Sequence, residues 1–148
     1  MFLYRPRRLL YTRLVTRDEI TRRIRIVLES HPEVLLAILY GSVARDTHRP
    51  DSDVDIGVAG HARTPMDETL LLDISLECSR ELGREVQVRD LARAEGLFLK
   101  QVLTTGTILL SRDSTVYGEL IVRMLDFVTD MLPNIRMIRR RGEEYFNA

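Results

Sequence analysis

Leu39 to Val58 reads LYGSVARDTHRPDSDVDIGV, and the way this stretch breaks into elements decides the fold. It continues a run that begins at Val34. Val34 to Tyr40 (VLLAILY) is apolar throughout and of strand length, which predicts a strand buried on both faces. Gly41-Ser42 then makes a turn. Val43 to Asp46 suits one helical turn, and His48 to Ser52 (HRPDS) reads as loop. Asp53 to Ala59 (DVDIGVA) alternates: Val54, Ile56 and Val58 point one way, and Asp53, Asp55 and Gly57 the other. That pattern predicts a second strand with one polar face.

The flanks supply helices. Thr16 and Glu19 form a capping-box pattern, and Ile20, Ile24, Val27 and Leu28 recur at helical spacing until His31-Pro32 ends the run. A helix is expected from about Met66 to Leu82, with Leu70, Ile74 and Cys78 on one stripe and Gly83 as its C-terminal cap. Arg84 to Leu91 (REVQVRDL) alternates again, with Val86 and Val88 inward and Gln87 and Arg89 opposite. Arg93 to Thr104 reads as a short helix stopped by Gly106, and Thr107 to Leu110 as a small strand. Ser114 is read as the cap of a helix through Met131, with Val116, Leu120, Met124, Phe127, Val128 and Met131 as its stripe and Pro133 as its breaker. Helices alternating with three or four strands make an α/β sandwich around a small sheet, of unspecified strand order. The expected organisation is an N-terminal extension over 1–16, a core domain over 17–112 and a C-terminal helical segment over 113–148 of the same compact unit.

Composition narrows the partners. The 148 residues are 45% hydrophobic and 30% charged, enough for one packed core. Lys+Arg and Asp+Glu are both 22, which argues against nucleic acid held by bulk charge. Lys100 is the one lysine among those basic residues, and arginine suits phosphate and carboxylate pairing. The single cysteine, Cys78, excludes an internal disulfide. His31, His48 and His61 are too dispersed for a histidine metal cage. With no apolar run of about 18 residues and no signal-peptide pattern at the start, a soluble cytoplasmic protein is expected.

The chemistry concentrates in the opening stretch. Residues i and i+2 of a strand share a face about 6.5–7 Å apart, so Asp53 and Asp55 aim together. Paired carboxylates repel unless something positive lies between them, and a hard divalent cation such as magnesium takes oxygen ligands and keeps phosphate oxygens as well. Gly41 lets backbone approach a phosphate, Ser42 adds a hydroxyl donor, and a helical turn beginning at Val43 aims free N–H groups at an anion. This is equipment for metal-assisted in-line displacement on a nucleoside triphosphate.

Gly41-Ser42, ten residues, then Asp53-Val54-Asp55 resembles the GSx10DxD signature of the polymerase-β-like nucleotidyltransferase superfamily, and the short chain resembles its minimal nucleotidyltransferases (MNT proteins). Arg45 matches the arginine usual in their GSxAR turn. The resemblance covers roughly residues 17–112. It implies a nucleotidyltransferase fold with a small mixed sheet and a C-terminal helix. It also implies a triphosphate site at Gly41, Ser42 and Arg45, and Mg2+ held by Asp53 and Asp55. Many such proteins are antitoxins beside a HEPN ribonuclease toxin, similar to adenylyltransferases that move AMP from ATP onto a toxin tyrosine. The expected partner is therefore a HEPN toxin, with a homodimer or hetero-oligomer as the assembly.

One departure bears on catalysis. The family usually carries a third carboxylate on the next strand, in a pattern like E-V-D-L-V-D-L. The matching run here is Glu85-Val86-Gln87-Val88-Arg89-Asp90-Leu91, which puts Gln87 at the third catalytic position. A glutamine amide cannot accept a proton near neutral pH. Either the chemistry is slow or another carboxylate substitutes. Glu85 shares a face with Gln87, whereas Asp90 lies on the opposite face unless a bulge intervenes. Three readings follow: an adenylyltransferase antitoxin, an antitoxin of the same fold that works by binding, and an aminoglycoside-type small-molecule adenylyltransferase. The last usually needs an added acceptor domain, for which the roughly 35 residues after Asp113 are few. Plainer roles fall to His48 (loop), Cys78 (core) and Arg139 to Arg141 (solvated face).

Overall fold

In the computed structural model the described residues are 15–45 and 52–146. Most of the N-terminal extension, and His48 with its loop, lie outside them. The elements run α1 (Arg17–Glu29), β1 (Leu36–Tyr40), α2 (Gly41–Ala44), β2 (Val54–Ala59), α3 (Glu68–Leu82), β3 (Val86–Asp90), a 3-10 turn (Leu91–Arg93), α4 (Gly96–Thr105), β4 (Thr107–Ser111), α5 (Ser114–Asp130) and α6 (Leu132–Phe146).

The four strands form one mixed sheet in the order β3-β2-β1-β4. β1 is antiparallel to both β2 and β4, while β2 and β3 are parallel and joined through α3. β1 is central, and all five of its residues are buried, as its unbroken apolar run predicts. Alternation splits its side chains between two cores. Ala37 and Leu39 face Ile20, Ile24 and Leu28 of α1 and Ile74 and Cys78 of α3. Leu36, Ile38 and Tyr40 face Leu99 and Val102 of α4 and Leu120 of α5. Each fully buried Leu or Ile contributes about 1.5–3 kcal/mol, so the two-sided sandwich sets the position of the sheet ends.

Caps explain the boundaries. Thr16 Oγ1 accepts from the Glu19 amide at 3.2 Å, while the Glu19 carboxylate turns to Arg23 at 2.8 Å rather than back to the cap. α3 begins two residues later than its apolar spacing suggests, because Asp67 caps it by accepting from Thr69 N at 2.7 Å. Gly83 ends it in the left-handed conformation, φ +66°. Asp113, not Ser114, caps α5. The helix expected from Arg93 starts at Gly96, since Leu91–Arg93 forms the 3-10 turn. Arg112 ties β4 to the end of α1 by donating to the carbonyls of Leu28, His31 and Val34.

One reading of the C-terminal region needs correction. Met131 is exposed, not part of the buried stripe, because α5 ends at Asp130 and the chain leaves the core there. Pro133 follows the end of α5, where a breaker is expected. It sits in the first turn of α6, where its missing N–H costs no helical hydrogen bond.

Candidate functional site

β1 runs directly into α2 with no loop between them, and Gly41 makes the corner. Its φ is +78°, a conformation that side chains with a Cβ rarely adopt. A Cβ there would lie 2.5 Å from Asp55 Oδ2. The glycine is thus needed twice, for the turn and for room beside the acid. α2 starts two residues earlier than its apolar residues suggest, so Gly41 and Ser42 form its first turn. Arg17 Nη1 holds the far end by donating to the Ala44 carbonyl at 3.1 Å. Arg45 is exposed just beyond, its amide bonded to the Gly41 carbonyl.

The sheet register builds the rest. Asp55 pairs with Tyr40 on one side and with Gln87 on the other. Gly57 pairs with Arg89. By period-2 alternation Asp55, Gln87 and Arg89 share the face that carries Tyr40. Asp53 stands just before β2 and is exposed, whereas Asp55 is half-buried. The structure therefore brings Gly41, Asp55 and Gln87 together as the sequence predicts. Burial pushes the Asp55 carboxyl above its ordinary range, Arg89 opposes that shift, and the like charge of Asp53 adds to it. The Tyr40 hydroxyl is pushed up to about 12 by burial and then by Asp55, against the pull of Arg89. Tyr40 is neutral at physiological pH.

Asp90 is not placed to act as a third carboxylate. Asp90 is buried on the opposite face, and both its oxygens are used: Oδ2 accepts from Met66 N at 2.7 Å and Oδ1 from Ala92 N at 2.9 Å. Glu85 is exposed before β3 begins, and its carbonyl accepts from Val54 N. Among the described residues no group of three or more His, Cys, Asp or Glu is placed to hold a metal ion. The donor set is two carboxylates and an amide. That set suits magnesium, which is commonly held by one or two carboxylates with substrate phosphates and water completing its shell. The space kept open over Asp55 by Gly41 fits such a ligand.

Three residues of this site carry no motif. Tyr40 meets Phe98 of α4 edge-on, with centroids 5.5 Å apart, and the Arg89 guanidinium lies 5.4 Å from the same ring. The alternation of β3 marks Arg89 as a neighbour of Gln87, but nothing in the spacing announces Phe98. A separate groove of about 450 Å³ lies on α5, lined by Ala62, Arg63, Glu119 and Arg123 among others, and contains none of these residues.

A glycine–serine corner against a carboxylate strand, on a mixed sheet with helices on both faces, is the arrangement of a nucleotidyltransferase site. Residues 22–115 match the family described as polymerase beta, nucleotidyltransferase, and the chain belongs to that family. No curated protein matches the chain. Among solved structures, a chain of a toxin–antitoxin crystal structure with AMP-PNP is similar, with 21% identity and a TM-score of 0.63 over 86% of this chain and 98% of that one. Another belongs to the tri-AMPylated Shewanella oneidensis HEPN toxin in complex with MNT antitoxin, at 19% identity and TM-score 0.59 over 90% of this chain and 100% of that one. A third, from an MntA–HepT toxin–antitoxin structure, has 19% identity and TM-score 0.58 over 88% and 99%. At these identities the likeness concerns the fold. Among the described residues no helix is long and apolar enough to cross a membrane.

Proposed function

We propose that this chain is an MNT-type antitoxin that binds Mg2+ and ATP but silences a HEPN-type toxin chiefly by covering it, with AMP transfer as a slow residual activity. One observation carries this reading: Gln87 sits directly beside Asp55, where a proton-accepting carboxylate would serve the attacking hydroxyl. Toxin–antitoxin complexes among the similar solved structures support the choice of partner. So does apolar surface at the C-terminal end. Val122 and Leu125 of α5 and Ile135 and Ile138 of α6 are exposed, Ile138 by 71%. A partner covering them would gain hydrophobic stabilisation that water does not give.

In the transfer reaction ATP would lay its triphosphate along Gly41 and Ser42, with Arg45 at the edge, and Asp53 and Asp55 would hold Mg2+. When bound, the ion supplies charge neutralisation and alignment of the phosphates. A toxin tyrosine oxygen bonds to the α-phosphorus, the bond from that phosphorus to the α–β bridging oxygen breaks, and pyrophosphate leaves. The tyrosine proton passes to water, because the Gln87 amide cannot take it. General-base help is typically worth about 10²–10⁴ in rate, and its loss sets the size of the handicap.

The rival is full-speed adenylyl transfer, favoured by the intact Gly41, Asp53 and Asp55 geometry. Ribonuclease assays of the partner toxin decide between them. Inhibition is expected to persist in EDTA without ATP and to weaken when Leu125→Glu or Ile138→Glu charges the apolar face. Inhibition that requires Mg2+ and ATP, and vanishes in Asp55→Asn, would establish transfer as the mechanism instead.

A further inference from the structure

We infer that Arg89 is a phosphate-binding residue of this site, a fixed guanidinium that takes an oxygen of the bound triphosphate on the side where Gln87 leaves no third carboxylate. The inference rests on the nucleotide-binding part of the reading above. Its first support is position. Gly57 is the register partner of Arg89, and Asp55 that of Gln87, so Arg89 stands one pleat along on the face that carries Asp55. Over Gly57 the space is taken by Leu91: a Cβ on Gly57 would meet Leu91 Cδ2 at 2.5 Å. Leu91 closes the apolar floor of the site, and Arg89 stands at its exposed side.

The second support is how the side chain is held. Its guanidinium carbon lies 5.4 Å from the Phe98 ring centroid, and Phe98 is in turn set edge-on against Tyr40 at 5.5 Å. Stacking on an aromatic face orients the guanidinium plane while leaving its N–H donors at the rim. The third support is that those donors are unspent. Among the described residues Arg89 makes no hydrogen bond and no ion pair, whereas Arg23, Arg25, Arg112 and Arg123 all donate to protein oxygens. An arginine held on an aromatic shelf, one pleat from the Asp55 carboxylate, suits an anion that arrives with its own cation. A phosphate is the anion that guanidinium geometry matches, through paired N–H···O bonds.

Calorimetry on the purified full chain tests this, with ATP, AMP and adenosine as probes in magnesium chloride and again in EDTA. Arg89→Ala is expected to weaken ATP binding about tenfold, the usual scale of one charge-assisted hydrogen bond, and to weaken AMP binding less. Arg89→Lys should recover part of the loss. Phe98→Leu should cost about threefold for ATP, with Phe98→Tyr restoring it. Thermal melts check that each variant is folded, which the exposure of Arg89 favours. Wild-type affinity for ATP in Arg89→Ala would overturn the assignment alone. An equal loss for ATP, AMP and adenosine would also overturn it, by showing general damage to the pocket. A wild-type chain that takes up no ATP at any magnesium concentration would overturn the nucleotide-binding reading, and this inference with it.

Discussion

Asp55 and Asp90 stand on neighbouring strands and live by opposite rules. Asp90 faces the α1–α3 side, is buried, and donates nothing to chemistry because two backbone amides occupy its oxygens. Those bonds pin the chain at Met66 and start the turn at Leu91. Asp55 faces the other side, is half-buried, and accepts no hydrogen bond from any described residue. Its Oδ2 looks onto the space that Gly41 leaves open. A carboxylate whose lone pairs are spent on backbone is architecture. One that is partly desolvated, crowded by a second acid and left without donors among the described residues is held ready for a ligand. Burial alone would have ranked the two acids the wrong way round.

The strongest way to sharpen this contrast is to restore what β3 lacks. Gln87→Asp places a proton acceptor beside Asp55 and should raise AMP transfer by about 10²–10⁴, read with radiolabelled ATP and the partner toxin. A gain below threefold would show that the third position is not what limits the reaction. Next in size, Asp55→Asn should lower Mg2+-dependent ATP affinity more than about a hundredfold, since even outer partners of metal sites cost about 10–100-fold. Asp90→Ala should do the reverse. Leaving the Met66 and Ala92 amides unsatisfied costs about 2–6 kcal/mol of stability in urea melts, at about 1–3 kcal/mol per group, with ATP affinity of the folded protein little changed. If Asp90→Ala abolished binding without loss of stability, the division between the two acids would fail. Gly41→Ala is a smaller perturbation of the same boundary. The positive φ costs about 1–3 kcal/mol, and the added methyl pushes against Asp55, so stability and ATP affinity should fall together.

Much of this pairing was legible in the sequence. The continuous apolar run of β1 and the alternation of β2 and β3 are strong period signals, and they carry the faces with them. Counting along REVQVRDL without a gap places Gln87 beside Asp55 and turns Asp90 away, and the parallel register agrees. Helix starts were read one or two residues off at α3 and α5, because Asp67 and Asp113 make caps through side-chain oxygens that periodicity ignores. The Tyr40–Phe98–Arg89 cluster was not legible at all. Its members come from three elements, and their meeting depends on how α4 packs on the sheet. The C-terminal segment is legible as helical, and Pro133 as the break within it, but not that the first turn of α6 takes up this proline.

The mildest test returns to Asp55 without any ligand. Its folded pKa lies above the unfolded value, so between the two the folded protein binds more protons than the unfolded chain. Stability then falls as pH rises from about 4, the ordinary carboxylate range, through the raised value, and is lowest once the group is ionised. Asp55→Asn removes that ionisation. Free of ligand at neutral pH, the variant should melt above wild type, by less than about 1 kcal/mol because solvent still screens the half-exposed group. The difference should shrink through about pH 4 and vanish about one unit below it, where the wild-type carboxyl is protonated in both states. Adding ATP and Mg2+ at neutral pH should reverse the order, because only wild type gains stability by binding. A ligand-free variant that melts below wild type at neutral pH would mean that Asp55 serves the fold as Asp90 does, and the contrast between them would be lost.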